Sequence, residues 1–362
     1  MVILLGPIWR GVGRLSDAVN PKKATAALVI LTVIVIGIGG TIRIYDAGES
    51  CPDWPTCFGT FGFDISEDEQ GEWWDANPEE ADSRGSGHRY TSFQIFTEWF
   101  HRLLAGAILG PLVILNWIVI KSDDEKSSRS RRVAAASLIL ILWQGAVGWL
   151  TVELNNEHWS VALHLGSALA FLLCLIWLWM ELCKDDGELP NWLTFDPLLA
   201  KKWGPILGWM SLGTLITLFS GAFVSTTPGA NYGCGIGGFA ESWPLCNGEF
   251  FPAIEDWEIQ SQAIHRWLVG AIGAFLVSAS YMIRKDCTHG QGGTVLKTWI
   301  FAATLIYIAN VALGGLYILS WESDGFFEFL SLAHLMVAAA AFSTLATAWL
   351  GLSVISMRDS SH

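Results

Sequence analysis

Charge is what this 362-residue chain has least of. Asp, Glu, Lys and Arg make up 15% of it, against roughly 25% in soluble domains, which excludes an ordinary water-soluble globule. Positive charge is scarcer still. Lys and Arg number 21 against 34 Asp and Glu, for a formal net charge of −13, and that balance excludes nucleic acid as a partner. The start does not read as a removable leader either. The opening MVILLGPIWRGVGRL is too short to span a bilayer and has no small-residue cleavage site ahead of the first full span. It reads as an interfacial helix.

Apolar sequence is what the chain has in abundance. Hydrophobic residues are 52% of the total, with 20 Trp, and a spanning helix needs about 20 mainly apolar residues. Eight runs qualify, at roughly 24–45, 93–120, 133–152, 160–183, 204–226, 261–284, 298–319 and 328–354. The predicted fold class is all-α and integral to the membrane, with eight transmembrane helices as two parallel-repeated four-helix bundles. Basic residues set the orientation. Arg10, Arg14, Lys22 and Lys23 precede span one, and Lys121, Lys126, Arg129, Arg131 and Arg132 follow span two. Lys184, Lys201 and Lys202 follow span four, while Arg284, Lys285 and Lys297 follow span six. All fall on one side, which the positive-inside rule makes cytoplasmic.

Both termini are then cytoplasmic, in a multi-pass protein of the cell membrane. Residues 46–91 lie outside, with twelve Asp or Glu against Arg84 and Arg89, and read as a solvated acidic loop. The expected domains are an N-terminal segment (1–23), a first bundle (24–183), a cytoplasmic linker (184–203), a second bundle (204–354) and a cytoplasmic tail (355–362).

The bundles are read from an internal repeat. WFHRLLAGAILG (99–110) returns as AIHRWLVGAIGA (263–274), and DWPTCFG (53–59) as SWPLCNG (242–248). WQGAVGWL (143–150) parallels ANVALGGL (309–316), and LHLGSALAF (163–171) parallels AHLMVAAAA (333–341). Each half holds an even number of spans, so both halves share one orientation, unlike the inverted repeats of many transporters. Two similar sites at one depth are the expectation.

Histidines mark those sites. His88, His158, His289 and His362 lie in loops, at a helix entrance or at the terminus, and read as solvated. His101, His164, His265 and His334 occupy spans two, four, six and eight, each about 8 to 13 Å past the outer entrance at the helical rise. Four at matched depth are a poor fit to packing alone. Two imidazoles facing across a bundle suit bis-His ligation of haem iron, one haem per half. Small neighbours such as Ala105, Gly106, Gly270 and Ala271 leave room for a macrocycle, although small residues also serve plain helix packing. Zinc fits less well, because no third ligand accompanies the second pair. For Arg102 and Arg266 two readings stay open: pairing with a haem propionate, or snorkelling to the headgroups.

The repeat breaks at Glu98, whose equivalent is Gln262. A carboxylate three residues before His101 shares its helical face and is costly at this depth. Its bland reading is an ion pair with Arg102 or a bond to a neighbouring helix. Its functional reading is a proton-handling group beside only one of two similar sites.

At these residues the chain resembles the haem A synthase family, over roughly 24–354. The resemblance rests on Glu98-x-x-His101-Arg102, on His164, His265 and His334, and on CPDWPTC at 51–57. It implies an oxidoreductase acting on a CH3 group, which converts a ring methyl of haem O to a formyl group and so makes haem A for terminal oxidases. Haem O as substrate would lie between His101 and His164, and a haem b cofactor between His265 and His334. Glu98 matches the family's essential carboxylate, a proton acceptor or a stabiliser of positive charge at the methyl carbon.

Family members also carry a disulfide in this loop and a second in the equivalent loop. Cys51 and Cys57 match the first pair. Cys246 matches Cys57, but Ala240 stands in the place of Cys51, which leaves Cys234, twelve residues earlier, as the nearest candidate partner. Cys174, Cys183 and Cys287 read as free thiols. The acidic stretch at about 60–90 departs from the family pattern. The implied partners are haem O, the haem O synthase, membrane lipid, an electron-transfer partner or quinone, and a second copy of the chain. Two other functions compete: a bis-His diheme membrane cytochrome b for quinol electron transfer, and a haem carrier or transporter. Neither has an evident use for an untwinned carboxylate beside one haem.

Overall fold

A computed structural model describes residues 19–80, 84–253, 256–287, 290–322 and 325–359. The interfacial segment up to residue 18, Asp82, His289 and the chain end from 360, with His362, lie outside the described residues. Nine helices matter here: α1 (Pro21–Ile44), α2 (Glu67–Ala76), α3 (Ser92–Ser122), α4 (Ser128–Glu153), α5 (His158–Asp185), α6 (Pro197–Thr226), α7 (Trp257–Asp286), α8 (Gln291–Leu319) and α9 (Glu328–Asp359). All but α2 are long and apolar enough to cross a membrane, eight among the described residues, which also contain no β-strand. The chain is an all-α, multi-pass membrane protein. By internal packing it divides into two compact units, up to Leu178 and from Trp179 onward, with the division inside α5.

The first long helix after each start point begins in the same way. Asn20 accepts from the Lys23 N–H with Pro21 at the first helical position, and Asp196 accepts from the Leu198 and Leu199 N–H groups with Pro197 behind it. Side-chain caps satisfy donors that a helix start leaves open, and proline loses nothing there. The Asp196 cap explains why α6 starts at Pro197 rather than near 204, so that Lys201 and Lys202 lie on the helix and not in a linker.

In the N-terminal unit, Leu28 and Val35 of α1 pack with Leu109 and Val113 of α3 and with Phe171 and Leu175 of α5. Asn116 donates to Thr25 Oγ1 at 3.0 Å, a polar tie between α3 and α1 of the kind that glues helices where no hydrophobic effect acts between them. In the C-terminal unit, α9 packs on both α6 and α8, and Tyr307 Oη donates to the Val269 carbonyl, tying α8 to α7.

One helix is irregular. α3 turns π-helical over Leu103–Leu109, and Gly110 N–H reaches back to the Ala105 carbonyl. The cause is Pro111, which offers no N–H and would drive its ring into the carbonyl four residues earlier; a wider turn relieves both. α7 has Phe275 at the equivalent place and runs without a break.

The acidic stretch is only half as solvated as its charge suggests. Ser66 and Glu69 form a reciprocal cap that starts α2. Gln70 then holds both the N–H (2.8 Å) and the carbonyl (3.0 Å) of Tyr90. Glu67, Asp68, Glu69, Glu72 and Asp75 face outward, while Trp74 and Tyr90 join Cys51, Cys57, Phe58 and Ile95 in one buried cluster. Phe58, at φ +52°, adopts a backbone conformation that bulky residues avoid. Edge-on contacts with Trp73 and Trp74 hold it there.

Candidate functional site

Each unit has a polar clamp between a disulfide-closed loop and the helix bearing its first histidine. In the N-terminal unit Cys51 and Cys57 are bonded, with Sγ–Sγ 2.04 Å. Glu98, 4% exposed, accepts from Ser50 Oγ (3.0 Å) and the Cys51 N–H (2.9 Å) on one oxygen, and from Arg102 Nη2 (2.5 Å) on the other. Arg102 continues the clamp by donating to the carbonyls of Cys51 (2.7 Å), Asp53 (2.5 Å) and Thr56 (3.3 Å). A guanidinium, with five donors in a rigid fork, suits this convergence of acceptors.

The C-terminal unit repeats the clamp with an amide in place of the carboxylate and fewer bonds around it. Cys234 and Cys246 are bonded, at 1.97 Å. Gln262 accepts from the Cys234 N–H at 2.7 Å and donates to the Asn231 carbonyl at 3.3 Å. Arg266 Nη1 donates to the carbonyls of Ser242 (2.7 Å) and Leu245 (2.5 Å), and its Nη2 is buried with no partner among the described residues. Even the turns correspond. Cys57–Thr60 and Cys246–Glu249 close as tight two-residue turns around Phe58-Gly59 and Asn247-Gly248, all at positive φ. Such primed turns favour Asn-Gly. The second loop has it, and the first replaces the Asn with the buried Phe58.

Below the clamps lie the histidines. His101 and His164 are close enough to interact electrostatically, as are His265 and His334. Each ring points its Cε1 edge at a glycine of the preceding spanning helix. A Cβ built on Gly39, Gly148, Gly221 or Gly314 would meet Cε1 of His101, His164, His265 or His334 at 3.2, 3.0, 3.1 and 2.8 Å. These glycines set how deep each imidazole sits. Sequence reasoning missed them, although Gly148 and Gly314 stand at matched places in WQGAVGWL and ANVALGGL. It also missed Ser50, Gln144, Ser220 and Asn310, which touch the site through single bonds that no spacing reveals.

A haem fits the donors present. His265 Nδ1 bonds to Ser220 Oγ at 2.8 Å and His334 Nδ1 to the Asn310 carbonyl at 2.9 Å, so each Nε2 would be the atom available to an iron. Arg266 Nη2 is an unspent buried donor nearby in sequence. His88 stays in its loop against Tyr90 and Arg84. Cys174, Cys183 and Cys287 are buried and take no part in the two disulfides.

Fold and site define a class: a multi-pass membrane protein that sets two intramembrane histidine pairs beneath disulfide-closed loops. The comparison with known proteins narrows it. The chain belongs to the COX15-CtaA family, described as cytochrome oxidase assembly protein, whose sequence model matches residues 23–354. Among curated relatives it is 28% identical to "Heme A synthase" of Novosphingobium aromaticivorans, over 82% of this chain and 87% of that one. It is 26% identical to the protein of the same name from Maricaulis maris, over 92% and 96%. A shorter stretch is 32% identical to that of Shewanella oneidensis, over 41% and 42%.

Proposed function

We propose that this chain is a haem A synthase, an enzyme of haem A biosynthesis that oxidises a ring methyl of haem O to a formyl group. The observation that carries the reading is the family match over 23–354, with relatives of that name aligned over nearly their whole length. On this reading haem O is the substrate of the N-terminal unit, between His101 and His164. Haem b is the cofactor of the C-terminal unit, between His265 and His334. Haem b, when bound, supplies one-electron redox chemistry that the side chains lack. The electrons leave to a quinone or another carrier, and haem O arrives from the enzyme that makes it. The disulfide loops face the oxidising side of the cell membrane, where such bonds persist, and both termini are cytoplasmic. A homo-oligomer is part of the same reading.

Glu98 has a specific task. It lies one turn before His101 on the same helical face, so its charge would be near a ring held by His101. Arg102, Ser50 and the Cys51 N–H occupy its oxygens, which makes it first a fixed negative charge, able to stabilise positive charge at the methyl carbon. It takes a proton only if one of those donors yields. Arg102 and Arg266 serve the clamps, and the spare Nη2 of Arg266 is the donor left for a propionate.

The test is expression in a host that makes haem O and no haem A, followed by chromatography of the extracted haems. A new formyl haem is expected. Haem O recovered unchanged, with a bis-histidine haem still bound, would favour the electron-transfer cytochrome instead.

A further inference from the structure

We propose that the tips of the two disulfide-closed loops dip into the bilayer and anchor each clamp in the adjoining leaflet. The partner is lipid, and the inference rests on the eight spans and not on haem.

Four residues past the second cysteine of each disulfide stands a phenylalanine with little protein around it. Phe61 is 77% exposed and Phe250 64%, with Phe251 beside it at 72%. Exposed together, such rings mark an interaction surface. Their backbone shows where that surface lies. The Phe61 carbonyl accepts from Trp99 Nε1 at 2.9 Å, and the Phe250 carbonyl from Trp267 Nε1 at 3.1 Å. These tryptophans stand seven and ten residues into the spanning helices α3 and α7, about 10 and 15 Å along them. Ring contacts repeat the placement. Phe63 meets Phe96 and Trp99 of α3 at 5.0 and 4.9 Å between centroids, and Phe251 meets Trp267 of α7 at 5.6 Å.

Each loop therefore reaches along its helix to within one turn of His101 or His265. Each tryptophan is two residues from its histidine, about 200° round the helix, so the tip rests on the face turned away from the histidine. An exposed ring on the outer face of a spanning helix, near its end, meets lipid at the boundary of headgroups and acyl chains.

A turn in that position needs its backbone groups bonded within the protein. Cys57 and Thr60 exchange both backbone bonds, as do Cys246 and Glu249. Gly62 N–H donates to Thr60 Oγ1 at 3.1 Å, and the indoles take the carbonyl of each phenylalanine. Trp99 precedes His101 whereas Trp267 follows His265, so the two are not equivalents in the repeat. The same bond is made from unmatched positions, which fits a carbonyl that must be satisfied in both units. Asp64 and Glu249, both exposed, flank the tips and keep the insertion shallow, since a carboxylate is costly in hydrocarbon.

The experiment uses the full chain with photoreactive benzoylphenylalanine in place of Phe61 or Phe250, reconstituted in phosphatidylcholine nanodiscs. Irradiation followed by intact-mass measurement should give a phospholipid adduct from either position. The same residue in place of Glu72, on the exposed side of α2, should give none. A covalent pair of chains would make the patch a contact between copies, and no adduct at either position would leave the tips in water; both results overturn the proposal. If a chain substituted at Phe61 or Phe250 fails to fold, Phe63 and Phe251 carry the probe instead. With the probe at Phe63, Phe61→Asp should abolish the adduct by drawing the tip into water, and an adduct that survives would remove Phe61 as the anchor.

Discussion

The two clamps differ by one functional group. Glu98 and Gln262 both accept the N–H of the first cysteine of their disulfide, at 2.9 and 2.7 Å. The arginine four residues on ties each helix to loop carbonyls in both units. An amide therefore suffices to build this architecture, because the C-terminal unit builds it with one. The carboxylate takes bonds from Ser50 and Arg102 that Gln262 does not take. It also adds a negative charge on the face of the helix that carries His101.

The sharpest way to break this comparison is to abolish the difference. Glu98→Gln should leave the protein folded and haem-loaded, since Gln262 shows that the amide fits. Formyl haem production should fall about 100-fold, the scale for losing a preorganised electrostatic group. Extracted haems and the low-spin spectrum report the two outcomes separately, and a normal haem A yield would remove Glu98 from the chemistry. The reverse change, Gln262→Glu, should give the C-terminal unit no such activity.

The next effect concerns retention. His265→Ala or His334→Ala should cost the protein the haem of its C-terminal unit, because a single axial ligand remains. His101→Ala should cost the haem of the N-terminal unit and leave the other. Haem content and absorbance spectra of the three purified variants check this, and an unchanged low-spin band in His265→Ala would refute it.

The disulfides come third. Closing loops of these lengths stabilises each unit by about 2 to 3 kcal/mol on loop entropy. Replacing Cys51 and Cys57 together by Ser, or Cys234 and Cys246 together, should therefore lower stability by similar amounts in a thermal melt. Activity should fall more for the first pair, because the Cys51 N–H positions Glu98 and the Cys234 N–H holds only an amide. Alkylation of unreduced protein should find all four cysteines blocked.

How far this was readable in advance follows from the kind of signal each feature leaves. The eight spans show in the sequence because lipid demands long apolar runs. The histidines show because an ionisable side chain in such a run is conspicuous, and the Glu98–Arg102 pair because the two lie four apart on one helix. The Cys234–Cys246 pairing emerged only by breaking the strict repeat, since Ala240 stands where a cysteine was expected. The inner face of the acidic stretch stayed hidden, because its charge dominates the composition while Trp74 and Tyr90 are single residues sixteen apart. Bonds to Nδ1 leave no pattern at all. Asn310 acts through its backbone carbonyl, which every residue has.

The smallest expected effect tests the glycines behind the four rings. A methyl at Gly314 would stand 2.8 Å from His334 Cε1 and 3.1 Å from its Nδ1, whereas one at Gly39 would stand 3.2 Å from His101 Cε1 and 3.8 Å from its Nδ1. Gly314→Ala should therefore push the His334 ring off the Asn310 carbonyl, at a cost of about 1 kcal/mol or more in overpacking. Gly39→Ala asks only for a few tenths of an ångström from the His101 ring. The C-terminal unit should thus be the less tolerant of the two, although helix propensity alone favours alanine over glycine at both places. Measured against the unsubstituted protein, haem content after purification should fall more in Gly314→Ala than in Gly39→Ala. A larger fall in Gly39→Ala would show that the closeness of the glycine to the ring does not decide which unit tolerates a methyl there.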